Sequence, residues 1–153
     1  MNTTKTGLLA LVLLASSAAG AGAGTVTVQN GQVPQKYLSP VFHPTYRIYL
    51  RQDAAASWNS MRLLTRAHGT EIYPNGRISA YRTYAQQVDA KRLYGSNAAT
   101  PGTSNHGWGI AVDLATHGMR SAIDRFGAPL GWAKRWSDAS WEWWHLRYTP
   151  GKW

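Results

Sequence analysis

The sequence predicts a single α+β domain, and three observations carry that prediction. The chain has 153 residues, room for one domain. Apolar residues at Leu50, Ala54, Trp58, Met61 and Leu64 recur every three or four positions, and Thr83 with Gln86 matches a capping box. Helices are therefore expected over Asp53–His68 and Thr83–Tyr94. Short runs between and after them, Arg77–Tyr81, Ile110–Leu114 and Trp143–Tyr148, read as strands. Apolar content of 44% suffices for one core.

In chain order, residues 1–23 carry a positive start at Lys5, an apolar run from Leu8 to Ala15 and small residues at Ala19, Ala21 and Ala23. This is the layout of a secretory signal peptide cleaved after Ala21 or Ala23; an uncleaved N-terminal anchor is the other reading. The apolar run is short for a span of about 20 residues. Residues 24–48 hold Gly31, Pro34, Pro40 and Pro44 among polar and aromatic side chains and are expected to form an extended arm and linker. His43 falls there, beside Pro44, and reads as a turn residue. Residues 49–153 form the remaining domain.

Gly69 supplies the stop for the first helix, and His68 in its last turn suits the helix dipole. The turn Pro74-Asn75-Gly76 leads into the strand Arg77–Tyr81. Arg82 falls at the junction between that strand and the second helix, where a guanidinium can reach a pocket while its backbone is fixed. Gly95–Thr103 is a loop. A short helix, Met119–Phe126, is closed by Gly127 with Pro129 beyond, and Asp124 on it reads as a surface charge. Trp132, Trp136 and Trp141 are expected either to pack or to wall a binding surface, and Trp108 is open in the same way.

Lys and Arg number 16 against 7 Asp and Glu, a formal charge of +9, which favours polyanionic partners. The basic residues are scattered and match no nucleic-acid motif, so nucleic acid is not expected. An anionic wall polymer is the better partner if the chain is exported; a merely solvated basic surface is the plain alternative. With no cysteine, disulfides and thiolate metal sites are excluded.

The chemistry concentrates in Ser104-Asn-His106-Gly-Trp-Gly-Ile-Ala-Val-Asp113, answered by Glu142-Trp-Trp-His145. Glycines at 107 and 109 argue against a helix between His106 and Asp113, so a loop delivers the first and a strand the second. A catalytic zinc takes three protein ligands and keeps a fourth position for water, whose pKa it lowers to about 7. His106, Asp113 and His145 meet that count without thiolate. Glu142 is the carboxylate left over to accept a proton. His117 lies four residues past Asp113, but the helix beginning near Gly118 takes it away from the site.

Ser104-x-His106-x6-Asp113 followed by Glu142-x-x-His145 resembles the signature of the peptidoglycan zinc metallopeptidases that include VanY-type D-alanyl-D-alanine carboxypeptidases and L-alanyl-D-glutamate endopeptidases. Ala80-Tyr-Arg-Thr is similar to the family's Gly-Tyr-Arg-Ser segment, with alanine in place of the first glycine. The resemblance spans roughly residues 53 to 148. It implies a hedgehog-like fold in which a small, mainly antiparallel sheet carries one zinc ion per chain on one face and helices cover the other. It also implies ligands His106, Asp113 and His145, with Glu142 as catalytic base and Arg82 as the group on the substrate carbonyl or oxyanion. Ser104 would contact substrate or support the site. The implied substrate is a peptidoglycan stem peptide cut by a monomeric protein, secreted or held at the cell envelope. D-alanyl-D-alanine carboxypeptidase is the expected activity and L-alanyl-D-glutamate endopeptidase, as in phage endolysins, the alternative. A non-catalytic zinc protein and a metal-free wall-binding module are the rivals from other classes.

Overall fold

A computed structural model describes residues 27–150, so the expected signal or anchor segment lies outside the described residues. The element order is β1 (Leu38–Val41), β2 (Ile48–Arg51), α1 (Gln52–Ala67), α2 (Tyr84–Tyr94), β3 (Ala111–Asp113), α3 (His117–Phe126), β4 (Trp132–Ala133) and β5 (His145–Tyr148). The strands make two antiparallel sheets, a β1-β2 hairpin and a three-stranded sheet in the order β3-β5-β4. Among the described residues no helix is long and apolar enough to cross a membrane.

Of the stretch expected as an arm and linker over 24–48, the described part, residues 27–48, is instead built into the domain. It buries Val33 and forms β1, whose two ends, Leu38 and Val41, are buried once the hairpin pairs with β2. Just before it, Gly31 N–H donates to the Gly107 carbonyl at 2.8 Å, and the Gly31 carbonyl accepts from Tyr84 N–H at 2.9 Å. This segment therefore bridges α2 and the loop that carries His106.

Helix α1 follows the predicted periodicity with one difference at its end. Ala54, Ala55, Trp58, Met61 and Thr65 are buried, whereas Leu64 is 38% exposed. Thr65 takes the inward place because its hydroxyl is satisfied locally by the Arg62 carbonyl at 3.1 Å. Trp58 meets the edge of Trp132 at 5.0 Å, so these two fully buried indoles tie α1 to β4. Around them Leu50, Ile72, Val112, Ile123 and Leu146 complete the core.

Residues 77–81, expected as a strand, form bends. Ser79 N–H turns back to Gly76, while the Ser79 carbonyl accepts from Asp113 N–H and Tyr81 N–H donates to the Tyr49 carbonyl, each at 2.9 Å. Its backbone groups are divided between β3 on one side and β2 on the other, which leaves no continuous ladder to either. Helix α2 begins as expected, with both reciprocal bonds of the Thr83–Gln86 capping box present. Helix α3 starts at His117, capped by Thr116, whose hydroxyl accepts from Met119 N–H. Between His106 and Asp113 the chain makes one 3-10 turn, Asn105–Trp108, which ends at Gly109. Gly109 has φ +67°, and a Cβ there would lie 2.7 Å from Arg51 N, the atom that donates to its carbonyl.

Candidate metal centre and groove

Asp113 ends β3 and His145 begins β5, and the antiparallel register pairs the two directly. Opposed residues on neighbouring strands project to one face, which explains how a separation of 32 in sequence becomes a contact. His145 Nδ1 lies 2.9 Å from Asp113 Oδ1. His106, held at the 3-10 turn, places Nε2 3.2 Å from Asp113 Oδ2. Its other ring nitrogen, Nδ1, bonds the Ala80 carbonyl at 2.9 Å, which fixes the proton there and leaves Nε2 as the free donor. The two imidazoles stand 5.0 Å apart at 68°, and the three donor atoms lie within 4.8 Å of one another.

This donor set fits zinc. Bond lengths of roughly 2.0–2.1 Å in a tetrahedron put neighbouring donors about 3.3 Å apart, close to the observed 3.2 Å for His106 and Asp113. Both imidazoles are buried, His106 at 3% and His145 at 6% exposed, so the site is walled on the protein side. Burial pushes the His106 pKa down, against the pull of the adjacent Asp113, and keeps the ring neutral as a ligand must be. Burial alone would raise the Asp113 pKa, but the His106 and His145 rings bonded to it hold it well below the usual carboxylate range.

Glu142 stands beside this trio, 3.9 Å from His145 Nδ1. Its pKa is raised, first by partial burial and then by the Asp113 charge. Arg82 reaches across from the start of α2, with Nη2 3.5 Å from Asp113 Oδ2 and Nε donating to the Ile78 carbonyl at 3.1 Å. Its backbone N–H donates to the His106 carbonyl at 3.1 Å, which ties the Arg82 backbone to that of His106. Burial lowers the Arg82 pKa, and the charges of Asp113 and Glu142 offset part of that.

Ser104 is buried at 7% exposure and supports His106 from behind: its hydroxyl accepts from His106 N–H at 3.3 Å. Behind it lies a polar network that sequence reasoning did not find. Asn30 Nδ2 donates to the Ser104 carbonyl at 2.8 Å and Asn30 Oδ1 accepts from Gln87 at 3.0 Å. Isolated Asn and Gln have no pattern of their own; Gly107, against which Asn30 packs, was the available hint of a close approach.

Two cavities open on the site. One, of about 440 Å³, is lined by Asn75, Ile78, Arg82, Tyr94, Asp113 and Trp144 among others. The second, of about 290 Å³, reaches Ser104, Asn105, His106, Asp138 and His145. Asn97, Trp141 and Glu142 belong to both, so the groove continues past the trio on either side. Of the tryptophans left open by the sequence, Trp132 is core and Trp141 and Trp136 are each 55% exposed. His117 stays out of the donor set and stacks on Trp143 at 3.7 Å.

Comparison with known proteins gives a consistent picture. The sequence model of the VanY family, described as D-alanyl-D-alanine carboxypeptidase, matches residues 47–128, over half of the chain. That span contains Arg82, Ser104, His106 and Asp113; Glu142 and His145 lie beyond it and rest on the geometry above. Several solved structures are similar. One is the vancomycin-resistance D,D-pentapeptidase VanY from a VanB-type cassette, in complex with Zn(II): TM-score 0.56, 20% identity, covering 76% of this chain and 82% of that one. The LdcB LD-carboxypeptidase gives TM-score 0.60 and 22% identity over 78% of this chain and 71% of that one. VanYB bound to D-alanine-D-alanine gives 0.55 and 20% over 80% and 85%. At these identities the likeness speaks to the fold. A search of curated proteins finds no significant match.

Proposed function

The chain belongs to the VanY D-alanyl-D-alanine carboxypeptidase family, and from that premise we propose that it is a zinc peptidase that hydrolyses an amide bond of peptidoglycan stem peptides at the cell envelope. The observation that carries the proposal is the convergence of His106, Asp113 and His145, with the uncommitted carboxylate of Glu142 beside them at the meeting point of the two cavities. A purely structural metal site has no use for that extra carboxylate, which argues against a non-catalytic zinc protein.

His106, Asp113 and His145 would hold the ion. When bound, zinc supplies Lewis acidity, polarising the scissile carbonyl and bringing the pKa of water to about 7. Glu142 accepts the proton of the attacking water at its carboxylate and returns a proton to the departing amine. Arg82 presents a guanidinium already buried and anchored by Ile78, so it can donate to the developing oxyanion without reorganisation. Ser104 keeps the His106 backbone in place and lines the smaller cavity.

The bond we propose is D-alanyl-D-alanine, cut from the free carboxyl end. Arg82 is the cationic group in the groove nearest the trio, and a guanidinium recognises a carboxylate strongly. The continuation of the groove on both sides of Glu142 favours a second reading, L-alanyl-D-glutamate endopeptidase, since an endopeptidase needs room for chain on either side. Incubation with a pentapeptide stem decides between them. A single released D-Ala is the expected product; a fragment that starts at D-Glu and keeps its terminal D-Ala would establish the endopeptidase, and an intact pentapeptide would refute both.

A further inference from the structure

Glu142 lies in a segment without regular secondary structure, between β4 and β5. Where its carboxylate points is decided by its backbone. Three successive carbonyls, those of Glu142, Trp143 and Trp144, are each held. The first accepts from His145 N–H at 3.2 Å in a turn that leads into β5, and the third from Leu114 N–H at 3.0 Å, where the β3-β5 pairing continues. The middle one is held by a side chain from elsewhere: Arg120 Nη1 on α3 donates to the Trp143 carbonyl at 2.6 Å.

Arg120 is prepared for this role. Asp124, one turn further on, takes its Nε at 2.7 Å, and the Arg120 side chain is only 14% exposed although it stands on a helix surface. His117, one turn earlier, lays its ring on the Trp143 indole at 3.7 Å and 21°. Spacings of three and four put His117, Arg120 and Asp124 on one face of α3. That face therefore grips Trp143 twice, by ring and by carbonyl. Trp143 is the residue next to Glu142, so a rotation of its peptide would swing the Glu142 carboxylate relative to Asp113 and His145.

We propose that Arg120 is a positioning residue for the reaction, acting through the Trp143 carbonyl to aim Glu142, with Asp124 orienting its guanidinium and His117 steadying the indole. The proposal rests on Glu142 being the proton acceptor. It makes α3, which lends no group to the metal, part of the machinery that sets turnover.

The test is a double-mutant cycle in the full chain, with a pentapeptide stem as substrate. Arg120→Ala should lower kcat by roughly ten- to a hundred-fold, with KM within about two-fold and zinc content unchanged; Arg120→Lys, which keeps one donor, should recover part of the loss. In the Glu142→Gln background the same Arg120→Ala change should cost nothing further, because groups that act as one unit are not additive. A general loss of packing would instead reduce both backgrounds alike. Hydrogen exchange supplies a readout apart from activity: Arg120→Ala should speed exchange at the amides of residues 142–145 while β3 stays protected. Full kcat in Arg120→Ala, or an equal loss in both backgrounds, overturns this inference and leaves the proposed function standing. Failure of the native chain to cut any stem peptide overturns the proposed function and the role of Arg120 with it.

Discussion

Substituting Gly107 by alanine tests how the metal site is held from behind. A Cβ at this position would lie 1.9 Å from Asn30 Oδ1 and 2.5 Å from Gln87 Nε2. The Gln87 amide can move aside, but the Asn30 side chain must leave. With it go the bond from Asn30 to the Ser104 carbonyl and the bond from Gln87 to Asn30. Each buried bond contributes about 1 kcal/mol net, so the variant should lose about 2–4 kcal/mol. Asn30→Ala removes the same two bonds directly and should cost about 2–3 kcal/mol. The double variant has nothing left to clash with and should cost little more than Asn30→Ala alone, a coupling of about 2 kcal/mol between the sites. Urea unfolding of the chelator-treated protein measures all four corners of the cycle. Because Ser104 accepts from His106 N–H, zinc affinity should also fall, by the roughly 10–100-fold typical of groups that orient ligands. Additive costs, or a Gly107→Ala protein as stable as the native one, would refute the reasoning.

Four further outcomes are expected. Glu142→Gln should retain zinc while turnover falls by roughly 10²- to 10⁴-fold, with metal content read by atomic absorption; near-normal turnover would remove Glu142 from the chemistry. His145→Ala should lose both zinc and activity, and a fully loaded, active variant would exclude it as a ligand. Trp58→Ala should cost about 3–5 kcal/mol of stability, since the ring is fully buried against Trp132; a loss under 1 kcal/mol would show that the core refills the space. Asp53 has a lowered pKa: burial opposes this, and the bonds from Arg51 and its own helix N-terminus prevail. Its contribution is thus complete above the unfolded value of about 3.9 and lost as pH falls through the folded one. Asp53→Asn should flatten the decline in melting temperature below about pH 4, and an unchanged decline would assign it to other carboxylates.

What the sequence made legible follows from the range of the forces involved. Helix α2 could be placed to its cap, because a capping box is a local bargain between Thr83 and Gln86. The grouping of His106, Asp113 and His145 was legible because metal chemistry restricts residue types severely, and the geometry brings those three side chains together. The place of residues 27–48 in the domain was not legible because Gly and Pro describe only the bends. What Leu38 and Val41 of β1 meet is contributed by β2 and α1, which no local pattern announces. The strand expected at 77–81 failed for a similar reason, since its carbonyls and amides are claimed by two different neighbours. Asn30, Gln87 and Arg120 stayed hidden because each acts through a hydrogen bond to a partner far away in sequence, which no local pattern announces.

The strand order β3-β5-β4 places the last strand among the described residues at the centre of its sheet. During synthesis β3 and β4 leave the ribosome without the partner that joins them, and His145, the first residue of β5, leaves later still. A nascent chain halted anywhere before that point has no third donor and no sheet centre. Such late, non-local closure slows folding and exposes strand edges meanwhile. It also ties completion of the donor trio to the pairing of β5 with β3.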